Sequence, residues 1–244
     1  MLADLHIHTQ LSPCASLEMS PDRIIEMAVA RGIGTIGITD HNSTLQCQVV
    51  SELGAEADIE VIMGAEVTTR EEVHCLVFMP DSETLQIFQT FLEFHLPPIT
   101  NDPKRFGYQV VVDRNNNIVY EEQKLLISAL DVSLDALIST VHDLGGLAIP
   151  AHVDRPRYGL IGQLGFVPDD LQADALEFSA SKNGKTFLEC YPDLKRFPLI
   201  SGSDAHHPSQ IGSRITQFQS IKTDFSFLKY FLNRLLRENL STKL

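Results

Sequence analysis

Apolar residues in this 244-residue chain fall into short runs that alternate with segments of helical period. Thr35-Ile36-Gly37-Ile38, Glu60-Val61-Ile62-Met63, Val73-His74-Cys75-Leu76-Val77-Phe78, Gly146-Leu147-Ala148-Ile149-Pro150 and Pro198-Leu199-Ile200-Ser201-Gly202 read as buried strands. Between them lie amphipathic stripes. Ser20-Pro21 starts a helix, with Ser20 placed to cap and Pro21 at the first helical position, and Ile24, Ile25, Ala28 and Val29 face inward. Further helices are expected over 45–56, over 82–94 with Leu85, Phe88, Leu92 and His95 on one face, and over 133–144 with Leu134, Leu137, Ile138 and Val141 inward. A last one, 225–239, is expected to cover the outside through Leu228, Phe231, Leu232, Leu235 and Leu236. Strands alternating with helices predict an α/β architecture.

Two stretches break the rhythm. Tyr108 to Val112, an Asn-rich turn over 113–117 and Ile118 to Tyr120 predict a β-hairpin near 100–125, an insertion too short for its own core. The stretch 153–170 is rich in Gly, Pro and Arg, and is expected to overhang the end of the strand before it.

Composition narrows the class. At 244 residues the chain could form one large α/β domain or two small ones; a hydrophobic fraction of 43% is ample for a buried core, and a single domain over 1–244 is the expectation. No apolar run approaches the ~18 residues of a membrane span, and the chain opens on a strand without a basic, apolar leader, so a cytoplasmic location is the expectation. Cys14, Cys47, Cys75 and Cys190 are scattered, as in a reducing compartment. A net charge of −13 argues against broad binding to duplex nucleic acid but is compatible with a small phosphorylated substrate drawn to a local cationic pocket.

The chemistry lies at the strand ends. In Asp4-Leu5-His6-Ile7-His8, alternation puts two imidazoles on one face. Thr39-Asp40-His41, Gly64-Ala65-Glu66, His74, Ala151-His152 and Ser203-Asp204-Ala205-His206 follow in comparable places. His74 alone on an apolar strand would read as a core histidine; within this ordered set it reads as a ligand. His6, His8, His41, Glu66, His74, His152, Asp204 and His206 are too many for one tetrahedral ion, and imidazole with carboxylate suits zinc, manganese or iron(II). Arg155 and Arg214 are candidate phosphate binders, because a guanidinium matches phosphate bidentately. Arg157, Tyr158 and Lys182 are lesser candidates; His95 and His142 read as structural or exposed, and His207 is expected to point away from His206, with a substrate contact the lesser reading.

The order of these motifs, from residue 3 to about residue 212, resembles the PHP (polymerase and histidinol phosphatase) superfamily. The resemblance implies a distorted (β/α)7 TIM-like barrel that hydrolyses phosphoesters with two or three divalent metal ions (Zn, Mn or Fe). Carried over by motif, one ion would take His6, His8, Glu66 and Asp204, and Glu66 would bridge to a second held by His74 and His152. A third would take His41, His206 and a residue from the loop after His8. There Cys14 stands where many members place histidine or aspartate, either as a thiolate ligand or as a small buried residue beside a weak third site. In the expected reaction a metal-activated water attacks a small-molecule or nucleotide phosphomonoester. His206 assists the leaving group, and Asp40 accepts a proton or orients a ligand. A nuclease-like domain acting on nucleotide ends and a non-catalytic metal-loaded regulatory domain are the alternatives.

Overall fold

A computed structural model describes residues 1–179, 184–220 and 223–241; Lys182 lies outside these. The elements in chain order are β1 (Leu2–Ile7), α1 (Pro21–Ala30), β2 (Thr35–Ile38), α2 (Cys47–Glu56), β3 (Glu60–Thr68), β4 (His74–Phe78), α3 (Ser82–His95) and α4 (Pro103–Phe106). There follow β5 (Val110–Val112), β6 (Ile118–Glu121), α5 (Leu134–Asp143), β7 (Leu147–Pro150), α6 (Leu160–Leu164), β8 (Leu176–Glu177), α7 (Gly184–Cys190), β9 (Leu199–Ile200), β10 (Thr216–Gln217) and α8 (Phe225–Ser241). Among the described residues no helix is long and apolar enough to cross a membrane.

The main sheet runs β10-β1-β2-β3-β4-β7, and β8 pairs with β9. Hydrogen bonds from Asp174 N–H to Ala148 O and from Val153 N–H to Glu177 O join the β7 and β8 segments. A bridge between Ile7 and Ala205 brings the segment after β9 back to β1. The result is the strongly curled, distorted barrel of seven ring strands that the resemblance implies.

One strand departs from a uniform β/α repeat. β4 is antiparallel to both β3 and β7, with Glu66 opposite Leu76 and Thr68 opposite His74. Only residues 69–73 separate β3 from β4, too few for the crossover that parallel neighbours need. Reversal has a useful effect: the first residue of β4, His74, lies at the same rim as the last residues of the parallel strands. β3 is also longer than its sequence run, so Glu66 lies within the strand rather than closing it.

Alternate residues of β4 enter different apolar clusters. Cys75 and Val77 join the large cluster with α1, α2, α3 and α5. Leu76 and Phe78 join Leu5, Ile62, Leu147, Ile149 and Ile200 in a smaller one. Leu228 and Leu232 of α8 belong to this inner cluster, and Lys229 Nζ donates to Gly145 O just before β7. Helix α8 therefore packs on the inner cluster through Leu228 and Leu232, while Leu236 packs against the larger outer one. Amphipathic spacing says that one face is buried, not what it is buried against.

β1 carries a further irregularity: Asp4 pairs with Ile36 but Ile7 with Ile38, three steps against two. Such a bulge re-aims side chains. Here Leu5 joins the inner apolar cluster while its neighbour His6 joins the ligand atoms.

Two local expectations change. Val29 is 53% exposed, at the edge of the α1 stripe. Ser20 flanks that helix, but its hydroxyl pairs with the Asp22 carboxylate rather than capping an amide. The hairpin forms as expected, β5 with β6, and docks inward: Gln46 Nε2 donates to Val112 O at 3.1 Å and Val112 N–H to Gln46 Oε1 at 2.9 Å.

Candidate metal centre

Strand ends deliver side chains to one buried focus. His6 and His8 come from the end of β1, His41 follows β2 and bridges to Glu66 of β3, and His74 opens β4. His152 lies two residues past β7, and Asp204 and His206 follow β9. Six of the nine histidines meet here.

Glu66, 1% exposed, is the hub. Its Oε1 lies 2.9 Å from His74 Nδ1, 3.1 Å from His152 Nε2 and 3.3 Å from His6 Nε2. Its Oε2 lies 3.2 Å from His41 Nδ1 and 3.3 Å from His8 Nε2. Asp204 Oδ1 lies 3.3 Å from both His6 Nε2 and His8 Nε2. Three sets have ligand atoms close enough to share an ion: His6, His8, Glu66 and Asp204; His41, Glu66 and His74; and His8, His41 and His206.

Protons cannot satisfy all these contacts. His6 Nδ1 faces the Glu177 carboxylate at 3.0 Å, an acceptor-only group, so Nδ1 carries a hydrogen and the neutral ring keeps its lone pair on Nε2. That Nε2 meets His8 Nε2 at 3.2 Å, where two N–H groups would collide. His41 Nδ1 is buried without a hydrogen bond although Glu66 Oε2 is 3.2 Å away. Lone pairs directed at one another across buried space are costly, and divalent cations resolve them. The donor set fits zinc, manganese or iron(II).

Against burial, and in the absence of cations, the facing acids raise His6 well above its ordinary value and His8 to about 9, so metal binding here would displace protons. Burial alone would raise the Glu66 carboxyl, but the surrounding imidazoles, His74 and His6 foremost, hold it well below the carboxylate range. Burial likewise opposes ionisation of Asp204, and His6 and His8 overcome it. Burial and the neighbouring His8 pull His206 down to about 4, leaving a neutral imidazole suited to ligation.

Residues 4–175 match the PHP domain. The chain belongs to the PHP family. The uncharacterized protein YqxK of Bacillus subtilis (strain 168) is 25% identical over 92% of this chain. A 68-residue stretch is 29% identical to phosphoribosyl 1,2-cyclic phosphate 1,2-diphosphodiesterase of Eggerthella lenta, covering 28% of this chain and 25% of that protein. Among solved structures, the PHP chain is similar to the lesion-specific endonuclease Q of Pyrococcus furiosus over 96% of its length, at 18% identity and a TM-score of 0.69. A Bifidobacterium adolescentis protein assigned to the metal-dependent phosphoesterases aligns over 95% of this chain and 96% of its own, at 19% identity and a TM-score of 0.57. The PHP chain spans 59% of the length of YqxK and 56% of that of the endonuclease.

The other sequence candidates of this PHP chain take distinct places. Asp40 turns away from the ligand atoms. It accepts from Thr9 N–H, Thr9 Oγ1 and Ser12 Oγ, each at 2.7 Å, and Ser12 Oγ lies 2.9 Å from His8 Nδ1. It thus braces the β1 loop and, through Ser12, the ring of His8. Cys14 shows part of its surface to solvent, and its Sγ is 3.1 Å from His206 Nε2. Its thiol, hemmed in by the loop and facing Glu66 and Asp204, is pushed up to about 12. Arg155 reaches the cluster, with Nη1 2.5 Å from Asp204 Oδ2. Arg214, half-buried, makes no hydrogen bond or ion pair with the described cluster residues. His207 caps the short turn Pro208–Gln210.

Sequence reasoning missed Glu177. This 2% exposed carboxylate accepts from His6 Nδ1 and from the His152 amide, fixing one ligand ring and the backbone of another. The available signal was an acid inside the apolar run Ala175-Leu176-Glu177-Phe178. Asp4 was also missed as a buried brace: it accepts from Ser203 N–H at 2.8 Å and Gly212 N–H at 2.7 Å, fastening the loop that carries Asp204. His152 and Asp204 have φ of 29° and 53°, strained for residues with side chains, as at many functional sites.

Proposed function

We propose that this protein hydrolyses phosphoesters with divalent cations held by the Glu66-centred cluster. The observation that carries this is the meeting of His6, His8, His41, His74 and His152 around one buried carboxylate in contacts that hydrogens cannot all fill. His6, His8, Glu66 and Asp204 would hold one cation; Glu66, His74, His152 and His41 a second; His206, His41 and Cys14 a third. Bound cations lower the pKa of a coordinated water toward ~7 and neutralise charge on phosphate oxygens. Glu177 and Asp40 hold the ligand rings in orientation, and Arg155 offers a guanidinium to a non-bridging oxygen beside Asp204. A third cation held by His206 at the rim would stabilise the departing alkoxide.

A small-molecule or nucleotide phosphomonoester is the first substrate reading, supported by the acidic net charge of −13. A second, cleavage of a nucleic-acid phosphodiester, is favoured by the likeness to endonuclease Q, seen in one structure with a duplex bearing an abasic lesion, at a TM-score of 0.70. It is also favoured by Arg155 being the one guanidinium paired with a cluster residue among those described, since a diester carries less charge to neutralise than a monoester.

The test is Glu66→Gln and Asp204→Asn, with metal content and phosphate release measured on each. Both are expected to lose bound metal and more than about 100-fold in activity. Near wild-type values for both would reject the proposal. Parallel assays of a nucleoside monophosphate and a labelled oligonucleotide separate the two substrates.

A further inference from the structure

The loop that leaves β7 presents Tyr158 in a constrained yet open position. Its ring stacks on the imidazole of His74, with centroids 4.4 Å apart and planes 18° from parallel. Its carbonyl accepts from His74 N–H at 2.9 Å. Its φ is 59°, a left-handed conformation that a non-glycine residue keeps only when its surroundings impose it. The surroundings do so here: Arg155 N–H donates to His152 O at 2.8 Å, and any side chain at Gly159 would collide with the carbonyls of Arg155 and His152. The tyrosine is preset, not draped.

Despite these ties it stays 44% exposed, and its hydroxyl makes no hydrogen bond among the described residues. A tyrosine serving only to fix a histidine would gain by burying its remaining surface and pairing its phenol. Instead one part of the ring covers His74 and the rest is open beside the ligand atoms. From the same loop Arg155 reaches Asp204, and the exposed Arg157 immediately precedes Tyr158 in the chain. An open aromatic face on a loop that also carries guanidinium groups can grip a nucleotide: the base stacks and the phosphate is held.

We propose that Tyr158 is a stacking platform for a nucleobase, so that the phosphoester cleaved here belongs to a nucleotide unit. This rests on the phosphoesterase reading and narrows it. The nucleotide could be free or part of a strand; the recognition chemistry is the same.

Binding is read apart from turnover, by calorimetry on metal-loaded protein with two non-hydrolysable probes, the methylene phosphonates of AMP and of ribose 5-phosphate. Wild type is expected to favour the adenosine probe by about tenfold or more. Tyr158→Phe should keep that preference, and Tyr158→Leu and Tyr158→Ala should erase it to within about twofold. The leucine variant still covers His74, so it separates stacking from support of the ligand, and metal content is measured on every variant. No preference in wild type, or a preference that survives in Tyr158→Leu, overturns the inference. Failure of the phosphoesterase reading shows separately, as wild-type protein that binds the probes but hydrolyses neither AMP nor an oligonucleotide. Relative turnover of AMP and a short single-stranded oligonucleotide identifies the source of the nucleotide.

Discussion

Glu177 lies 3.0 Å from His6 Nδ1 through both of its carboxylate oxygens, buried beside the Glu66-centred cluster. The contact fixes the tautomer that leaves Nε2 free for a metal and makes that nitrogen a better donor. Glu177→Gln is expected to weaken metal binding by about 10–100-fold while leaving the fold intact. Metal titration followed by circular dichroism checks it; an unchanged affinity would show that the contact is only packing.

Cys14 gives the third position a chemistry of its own. His206 Nδ1 donates to Asp204 O at 2.9 Å, so its Nε2 lone pair faces the Cys14 sulfur at 3.1 Å. A soft cation between them would deprotonate the thiol. In cobalt-substituted protein, a near-ultraviolet sulfur-to-metal charge-transfer band is expected, and Cys14→Ser should abolish it. A band that persists in the variant would remove Cys14 from the ligand set.

His142 and Asp174 make a pH-dependent tie outside the Glu66-centred cluster. His142 Nε2 lies 3.0 Å from Asp174 Oδ2, which also accepts from Ala148 N–H. The hydrogen bond to Asp174 raises His142 above its ordinary value, against partial burial. A raised folded-state value means that the pair stabilises fully below the unfolded pKa of about 6.5 and loses that contribution as pH rises through the folded value. The melting-temperature gap between wild type and His142→Ala should therefore be larger at about pH 5.5 than at about pH 9. A gap independent of pH would refute it.

The gathering of the candidate ligands was legible because the chemistry leaves little choice of residue type. His6, His8, Glu66 and Asp204, named from their places at strand ends and grouped by the family resemblance, converge within a few ångströms. The direction of β4 was not read, because parallel and antiparallel strands share the same apolar run; the signal was the brevity of 69–73. Glu177 escaped because β8 is two residues long and has no periodicity to read. The bulge in β1 leaves no trace in the alternation of polar and apolar residues, since His6 and His8 are still two apart.

The ring of strands closes at a thin join. Between β1 and the segment after β9 the structure shows a single bridge, with His8 N–H donating to Ala205 O at 3.0 Å and Ala205 N–H to His6 O at 3.2 Å. The residues on either side of that bridge are His6, His8, Asp204 and His206, drawn from opposite ends of the sequence. An ion seated among them would act as a clasp, stitching the first strand to the segment after β9 across a loop that takes in most of the chain. Chelation should then loosen this suture before the rest of the molecule, with amide exchange quickening at 6–8 and 203–206 while β3 and β4 stay protected.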